Sequence, residues 1–165
     1  MLGLASTFRL NLKTLETAYF AAQRATHPDR FVGKPEMERI AAITASQRVN
    51  DAYETLKNPL TRAEYLLQLQ GIHALGEDSP VPADILAEMM ELRERIFDNG
   101  EDGGALSVII GEIKTLHAQN LAALETAFDA GDLALATHET LRLQYLGKAM
   151  EEAHMMVYRL RATHG

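Results

Sequence analysis

The sequence predicts an all-α protein, and three observations carry that prediction. Apolar residues recur at three- and four-residue intervals along most of the 165 residues, the spacing that lines them up on one side of a helix. No stretch shows the apolar–polar alternation of a half-buried strand. Clusters of proline, glycine and asparagine separate the periodic stretches, and these are the residues at which helices stop.

Taken in order, the first helix lies between Asn11 and Thr26, with Leu12, Leu15, Tyr19 and Ala22 on one side. Pro28 disfavours helical geometry at His27 and lacks the backbone donor a continuing helix needs, so the helix ends at or just before His27. A loop through Gly33-Lys34-Pro35 follows. The second helix runs from Glu36 to Lys57 with Ile40, Ala41, Ala45, Val49, Ala52, Tyr53 and Leu56 as its stripe, and Asn58-Pro59 closes it. Two apolar faces of this size are expected to pack together as an antiparallel hairpin. Thr61-Arg62-Ala63-Glu64 has capping-box spacing, which predicts a short third helix through Tyr65-Leu66-Leu67 ending at Gly71.

Residues 71–82 concentrate glycine, proline and small polar side chains and form the best boundary in the chain. We expect one unit over 1–72, a linker over 73–82 and a second unit over 83–165. The second unit offers three helices: Ala83 to Asp98, Ala105 to Ala130 and Asp132 to Arg161. Leu106, Ile109, Ile113, Leu116, Leu124 and Phe128 share a side of the middle one, and Leu143, Leu146, Met150, Ala153, Val157 and Leu160 form a coiled-coil-like seam on the last. Gly131-Asp132 reads as a helix-ending glycine followed by an N-cap aspartate. Short loops between amphipathic helices predict a three-helix bundle.

Composition narrows the function classes. Apolar residues make up 47% of the chain and charged residues 24%, enough to build a core. A net charge of -7 makes nucleic acid and anionic membranes poor partners. The absence of cysteine removes disulfides and thiolate metal ligands and suits a reducing cytoplasm. Neither a secretory leader nor a membrane span is legible. The six histidines form no helical ligand motif, so no metal or cofactor is expected. An enzyme would need a nucleophile–base pair, a phosphate loop or paired carboxylates, and none stands at a defensible spacing.

His27-Pro28-Asp29 is the most informative tripeptide. Proline stiffens the turn while an imidazole and a carboxylate are presented at the tip of a helical hairpin, where an arginine of another protein could meet the carboxylate. A plain helix stop, with the aspartate bonding its own loop, explains the same three residues. The context adds to the first reading: an amphipathic helix before, a longer one after, and Gln47-Arg48-Val49-Asn50-Asp51-Ala52-Tyr53-Glu54-Thr55-Leu56 near the end of the latter. Residues 4 to 70 resemble a J-domain, whose His-Pro-Asp loop and preceding basic helix dock on an ATPase chaperone of the DnaK type and stimulate its ATP hydrolysis. The resemblance implies that His27, Pro28 and Asp29 are the stimulating loop and that Lys13, Arg24 and Arg30 are the nearby cations facing the chaperone.

Two further segments are similar to the HscB family of iron–sulfur co-chaperones. Pro59-Leu60-Thr61-Arg62-Ala63-Glu64-Tyr65-Leu66-Leu67 resembles the segment after its J-domain, and Ile85-Leu86-Ala87-Glu88-Met89-Met90-Glu91-Leu92-Arg93-Glu94 resembles the opening of its C-terminal three-helix domain. At roughly 100° per residue the second segment carries two apolar stripes. Ile85, Met89, Leu92 and Ile96 can face a bundle, while Leu86, Met90 and Phe97 lie about a third of a turn round, beside Ala87, Glu91 and Glu94. A helix between two neighbours would need two stripes as well. The family resemblance implies instead that Leu86, Ala87, Met90, Glu91 and Glu94, with Tyr145 of the last helix, bind the scaffold protein IscU, with a DnaK/HscA-type chaperone as second partner. Ala87 replaces a larger methionine of better-known members, and the residues before Leu2-Gly3-Leu4 are fewer than is usual, which implies either that the chain starts late or that its first packing element is shortened. The competing readings are a J-protein for other clients and a helical adaptor with a fortuitous His-Pro-Asp turn.

Overall fold

A computed structural model describes residues 2–4, 6–73 and 80–164. The chain divides into two compact units, Met1–Gln70 and Gly71–Gly165. Among the described residues there are six α-helices and one short 3-10 helix, and no strand. Most of the linker expected at 73–82 falls on 74–79, outside the described residues.

The first unit is built on α1 (Leu12–Thr26) and α2 (Glu36–Lys57), joined through a 3-10 helix at Pro28–Phe31. Asn11 caps α1 by accepting from the backbone N–H groups of Lys13 and Thr14 at 2.9 and 3.1 Å. The expected stripes need correcting at their ends. Leu12 is exposed at the first turn of α1, and on α2 the buried residues are Ala42 and Val49 while Ile40 and Ala41 face solvent. Tyr19 of α1 pairs with Asn50 and Tyr53 of α2, so in an antiparallel hairpin Thr26 falls opposite the Thr44-Ala45 turn. The turns of α2 before it overhang α1 and have nothing to bury against on that helix.

Helix α3 spans Pro59–Leu69, beginning two residues before the expected capping box. The cap is Asn58, whose side chain accepts from the Leu60 N–H at 2.8 Å, and Pro59 takes the first helical position, where its fixed φ and missing N–H cost nothing. Thr61 is already helical, and its hydroxyl donates back to the Thr55 carbonyl at 2.7 Å. No helix forms in described residues 2–4 and 6–11; there Phe8 is the anchor, buried with its ring 4.9 Å from the Arg62 guanidinium.

In the second unit α4 (Ala83–Asp98), α5 (Gly103–Ala130) and α6 (Leu133–His164) form a three-helix bundle. Helix α5 starts two residues earlier than expected because Asp102 caps it, accepting from the N–H groups of Gly104 and Ala105. Gly131 ends α5 at φ 69°, a conformation that spares only glycine its Cβ clash. Asp132 then caps α6 through the Leu135 N–H at 3.0 Å, as its sequence position indicated.

Ile85, Met89, Leu92 and Ile96 of α4 enter one core with Leu106, Ile109 and Ile113 of α5 and Leu146, Ala149 and Ala153 of α6. Ion pairs fix the direction of packing. Asp84–His138, Glu88–Arg142 and Arg93–Glu152 advance together along α4 and α6, so these helices run parallel, and α5 runs antiparallel to them, joined to α4 through Arg95–Glu112. No helix among the described residues is long and apolar enough to cross a membrane.

Candidate functional site

His27 closes α1 and opens the 3-10 helix. Its ring Nδ1 accepts from the Asp29 N–H at 3.3 Å and lies 3.6 Å from an Asp29 carboxylate oxygen. Proline at the first 3-10 position makes the turn stiff. The aspartate side chain is 88% exposed, so the loop presents its carboxylate outward with the imidazole beside it. Arg30 reaches back to donate to the Arg24 carbonyl at 3.0 Å, which ties the loop to the last turn of α1.

Helical geometry brings the other expected cations into line. Lys13 and Arg24 are eleven residues apart, about three full turns, and so share one face of α1. Exposed Phe20 lies between them on that face and lines, with Gln23, Arg24, His27 and Arg30, an open depression of about 760 Å³. Neither Phe20 nor Gln23 was singled out from the sequence. Phe20 carried a legible signal, a large apolar residue off the buried stripe of an amphipathic helix.

The Asn-Asp-Ala-Tyr run on α2 works from behind the loop. Tyr19 stacks on Tyr53, its hydroxyl donates to Asn50 at 3.1 Å, and the Gln23 amide donates to both the Tyr19 hydroxyl and Asn50. These contacts set the pitch of α1 against α2 and thereby the direction in which the tip points. At the far end of α2 the Arg62 guanidinium donates to the Leu56 carbonyl at 2.7 Å, and burial holds its pKa below the ordinary arginine value.

In the second unit the two stripes of α4 separate as expected. The first is buried, whereas Leu86, Met90 and Phe97 are 50%, 63% and 77% exposed. Ala87, Glu91 and Glu94 are exposed beside them. The second stripe is thus an open face rather than a second helix contact. Because α4 and α6 run parallel, Tyr145 stands on the α6 flank level with Leu86 and Met90, half-buried, with the Lys148 ammonium 5.2 Å from its ring centroid. Leu86, Met90, Ala87 and Glu94 form one continuous arc. Glu91 lies at its far edge and lines the α4–α5 groove with Arg95 and Glu112.

Polar contacts hold α4 in this orientation. Arg142 makes a two-pronged contact with Glu88 at 2.8 and 2.6 Å, and these bonds raise its pKa against the opposing effect of burial. Arg93 grips Glu152 in the same way, which raises its pKa.

Comparison with known proteins agrees with this architecture. The HSCB C-terminal oligomerisation domain matches residues 81–154. The co-chaperone protein HscB homolog of Aeromonas salmonicida is 35% identical over 156 residues, covering 92% of this chain and 91% of that one. The chain belongs to the HscB co-chaperone family. The co-chaperone protein HscB of Proteus mirabilis is 31% identical over 164 residues, covering 97% and 95% of the two chains. Among solved structures, chaperone HscB from Vibrio cholerae superposes with a TM-score of 0.83 at 31% identity over 96% of each chain. Human co-chaperone protein HscB gives 0.86 at 28% identity over 93% of this chain and 78% of that one. An HscB-type co-chaperone is therefore the frame in which the two exposed sites have to be read.

Proposed function

We propose that this HscB-family protein acts in iron–sulfur cluster assembly by joining two partners. Its first unit acts as a J-domain that engages a DnaK/HscA-type ATPase through His27, Pro28 and Asp29, with Lys13, Arg24 and Arg30 steering the approach. Its second unit carries an IscU-type scaffold on Leu86, Ala87, Met90, Glu91, Glu94 and Tyr145. Holding both on one chain raises the scaffold's local concentration at the chaperone and couples delivery to ATP turnover. The protein itself makes and breaks no covalent bond, and it works in the cytoplasm.

The observation that carries this reading is the exposed apolar stripe of α4. Leu86 and Met90 keep half or more of their surface exposed in the folded chain, and carboxylates border them, an arrangement suited to a reversible protein contact. The outward carboxylate of Asp29 supports the chaperone half, because a charge-assisted bond to an arginine gives orientation as well as energy.

Steady-state ATP hydrolysis by the cognate chaperone, with and without this protein and the scaffold, tests the proposal. Stimulation is expected from the native protein and is expected to vanish for Asp29→Ala. Equal stimulation by that variant removes the chaperone half. Unchanged scaffold affinity in a folded Leu86→Ser/Met90→Ser variant removes the other half, and selective binding of IscU over unrelated clients separates this role from that of a general J-protein.

A further inference from the structure

The exposed stripe of α4 does not stop where the family resemblance stops. Phe97 stands seven residues after Met90, about two turns on, and is the most exposed of the three. With Ile96, Met155 and Met156 it lines a groove of about 620 Å³ between α4 and α6. On α6 the residues Tyr145, Lys148, Glu152, Met155 and Arg159 recur at three- and four-residue intervals, so they form one flank that starts beside Leu86 and Met90 and ends beside Phe97. The two helices therefore extend one apolar strip from the proposed scaffold face into the groove.

The charge differs across that strip. Glu91 and Glu94 border it on the edge turned away from α6, whereas Arg93, Lys148 and Arg159 line its α6 edge. Glu152 in the groove is taken up by Arg93, while Lys148 and Arg159 have no carboxylate within ion-pair distance among the described residues, and exposed Glu151 offsets only part of their charge. In a protein of net charge -7 this is a local cationic site with an apolar lining.

We infer that the scaffold contact continues into this groove, which receives a scaffold segment bearing an apolar side chain for Phe97 and Met155 and a carboxylate for Lys148 and Arg159. The inference rests on the scaffold reading of Leu86 and Met90. A face acidic along one edge and basic along the other favours one orientation of a complementary partner, so the groove sets the orientation in which the scaffold docks.

Titration calorimetry of the full chain with purified IscU-type scaffold tests it, using three variants checked for folding by circular dichroism: Leu86→Ser/Met90→Ser, Phe97→Ser and Lys148→Glu/Arg159→Glu. Phe97→Ser and the charge reversal are each expected to weaken binding about tenfold. Raising salt from about 50 to about 500 mM is expected to weaken the native complex more than the charge-reversed one. If only Leu86→Ser/Met90→Ser loses binding, the groove inference falls while the scaffold face stands. If no variant loses binding, the scaffold reading itself falls. Concentration-dependent self-association that Phe97→Ser abolishes, with scaffold affinity unchanged, would assign the groove to a second copy and overturn the inference.

Discussion

Tyr19 of α1 lies over Tyr53 of α2 with ring centroids 4.2 Å apart and planes 23° from parallel, and Asn50 receives the Tyr19 hydroxyl at the edge of the stack. Residues 27–29 follow directly on the end of α1, about two turns beyond Tyr19, so any looseness in this clamp is delivered to the His-Pro-Asp tip. Replacing Tyr53 by leucine keeps an apolar side chain but removes the ring contact. The expected cost is about 1 kcal/mol of stability, read from urea denaturation followed by circular dichroism. Stimulation of the chaperone ATPase should fall with it while scaffold affinity is unchanged. Unaltered stability would show that the stack is incidental.

Arg62 is the buried cation of the Pro-Leu-Thr-Arg-Ala-Glu-Tyr segment, and its job is local. The guanidinium caps the C-terminal end of α2 through the Leu56 carbonyl and lies against Phe8. Burial disfavours its charge, and the carbonyl bond together with the ring contact must outweigh that cost. Arg62→Ala removes both and leaves the stem's volume empty, for an expected loss of about 2 kcal/mol in the same denaturation experiment. Arg62→Lys should recover less than half of it, since one ammonium cannot reproduce a planar group that bonds in its plane and stacks on its face.

What was legible in the sequence is chiefly where helices end and which face of each is apolar in the middle. Pro28, Asn58-Pro59 and Gly131-Asp132 act through their own backbone geometry, so neighbouring residues suffice to read them. Ile40 and Leu12 were misread because their burial depends on how far a partner helix extends, which periodicity does not record. Thr61 looked like a cap because the capping-box spacing is local, but Asn58 followed by proline is a stronger start and came first. Of the site residues, Leu86 and Met90 were visible as a second stripe, although only the folded bundle shows that half or more of each stays exposed. Phe20 was open to the same reading, as a large apolar residue off the stripe of α1, whereas the cationic groove beside Phe97 depends on which flank of α6 faces outward, information absent from a list of residues.

Asn120 of α5 is fully buried in a bundle whose other buried polar side chains, among the described residues, are Glu139 and Thr140. Its amide donates to the backbone carbonyl of Glu139 at 3.0 Å and to that residue's carboxylate at 2.6 Å. Glu139 in turn faces His138 and Arg142, so the amide supplies one of the hydrogen bonds that a carboxylate held away from water needs. Asn120→Ala is expected to cost about 2 kcal/mol. The double variant Asn120→Ala/Glu139→Ala should cost less than the two single changes added together, with a coupling near 1 kcal/mol. Additive losses in the denaturation cycle would mean that the two groups do not act as a pair.

The same cluster reaches α4 through His138, whose Nε2 lies 2.8 Å from Asp84 while Nδ1 faces Glu139 at 3.1 Å. For Asp84, desolvation pushes the carboxyl upward, but the His138 hydrogen bond and the Ile85 backbone N–H outweigh it and hold the pKa below the ordinary value. A carboxylate depressed in the folded state contributes stability above its unfolded pKa of about 4 and loses it as the pH falls through the folded value. Asp84→Asn should therefore melt below the native protein at pH 6, and the gap should close as both are taken towards pH 3. A gap of the same size at both pH values would mean that Asp84 acts through packing or helix capping rather than through its charge, and the α4–α6 contact at this end would then owe nothing to ionisation.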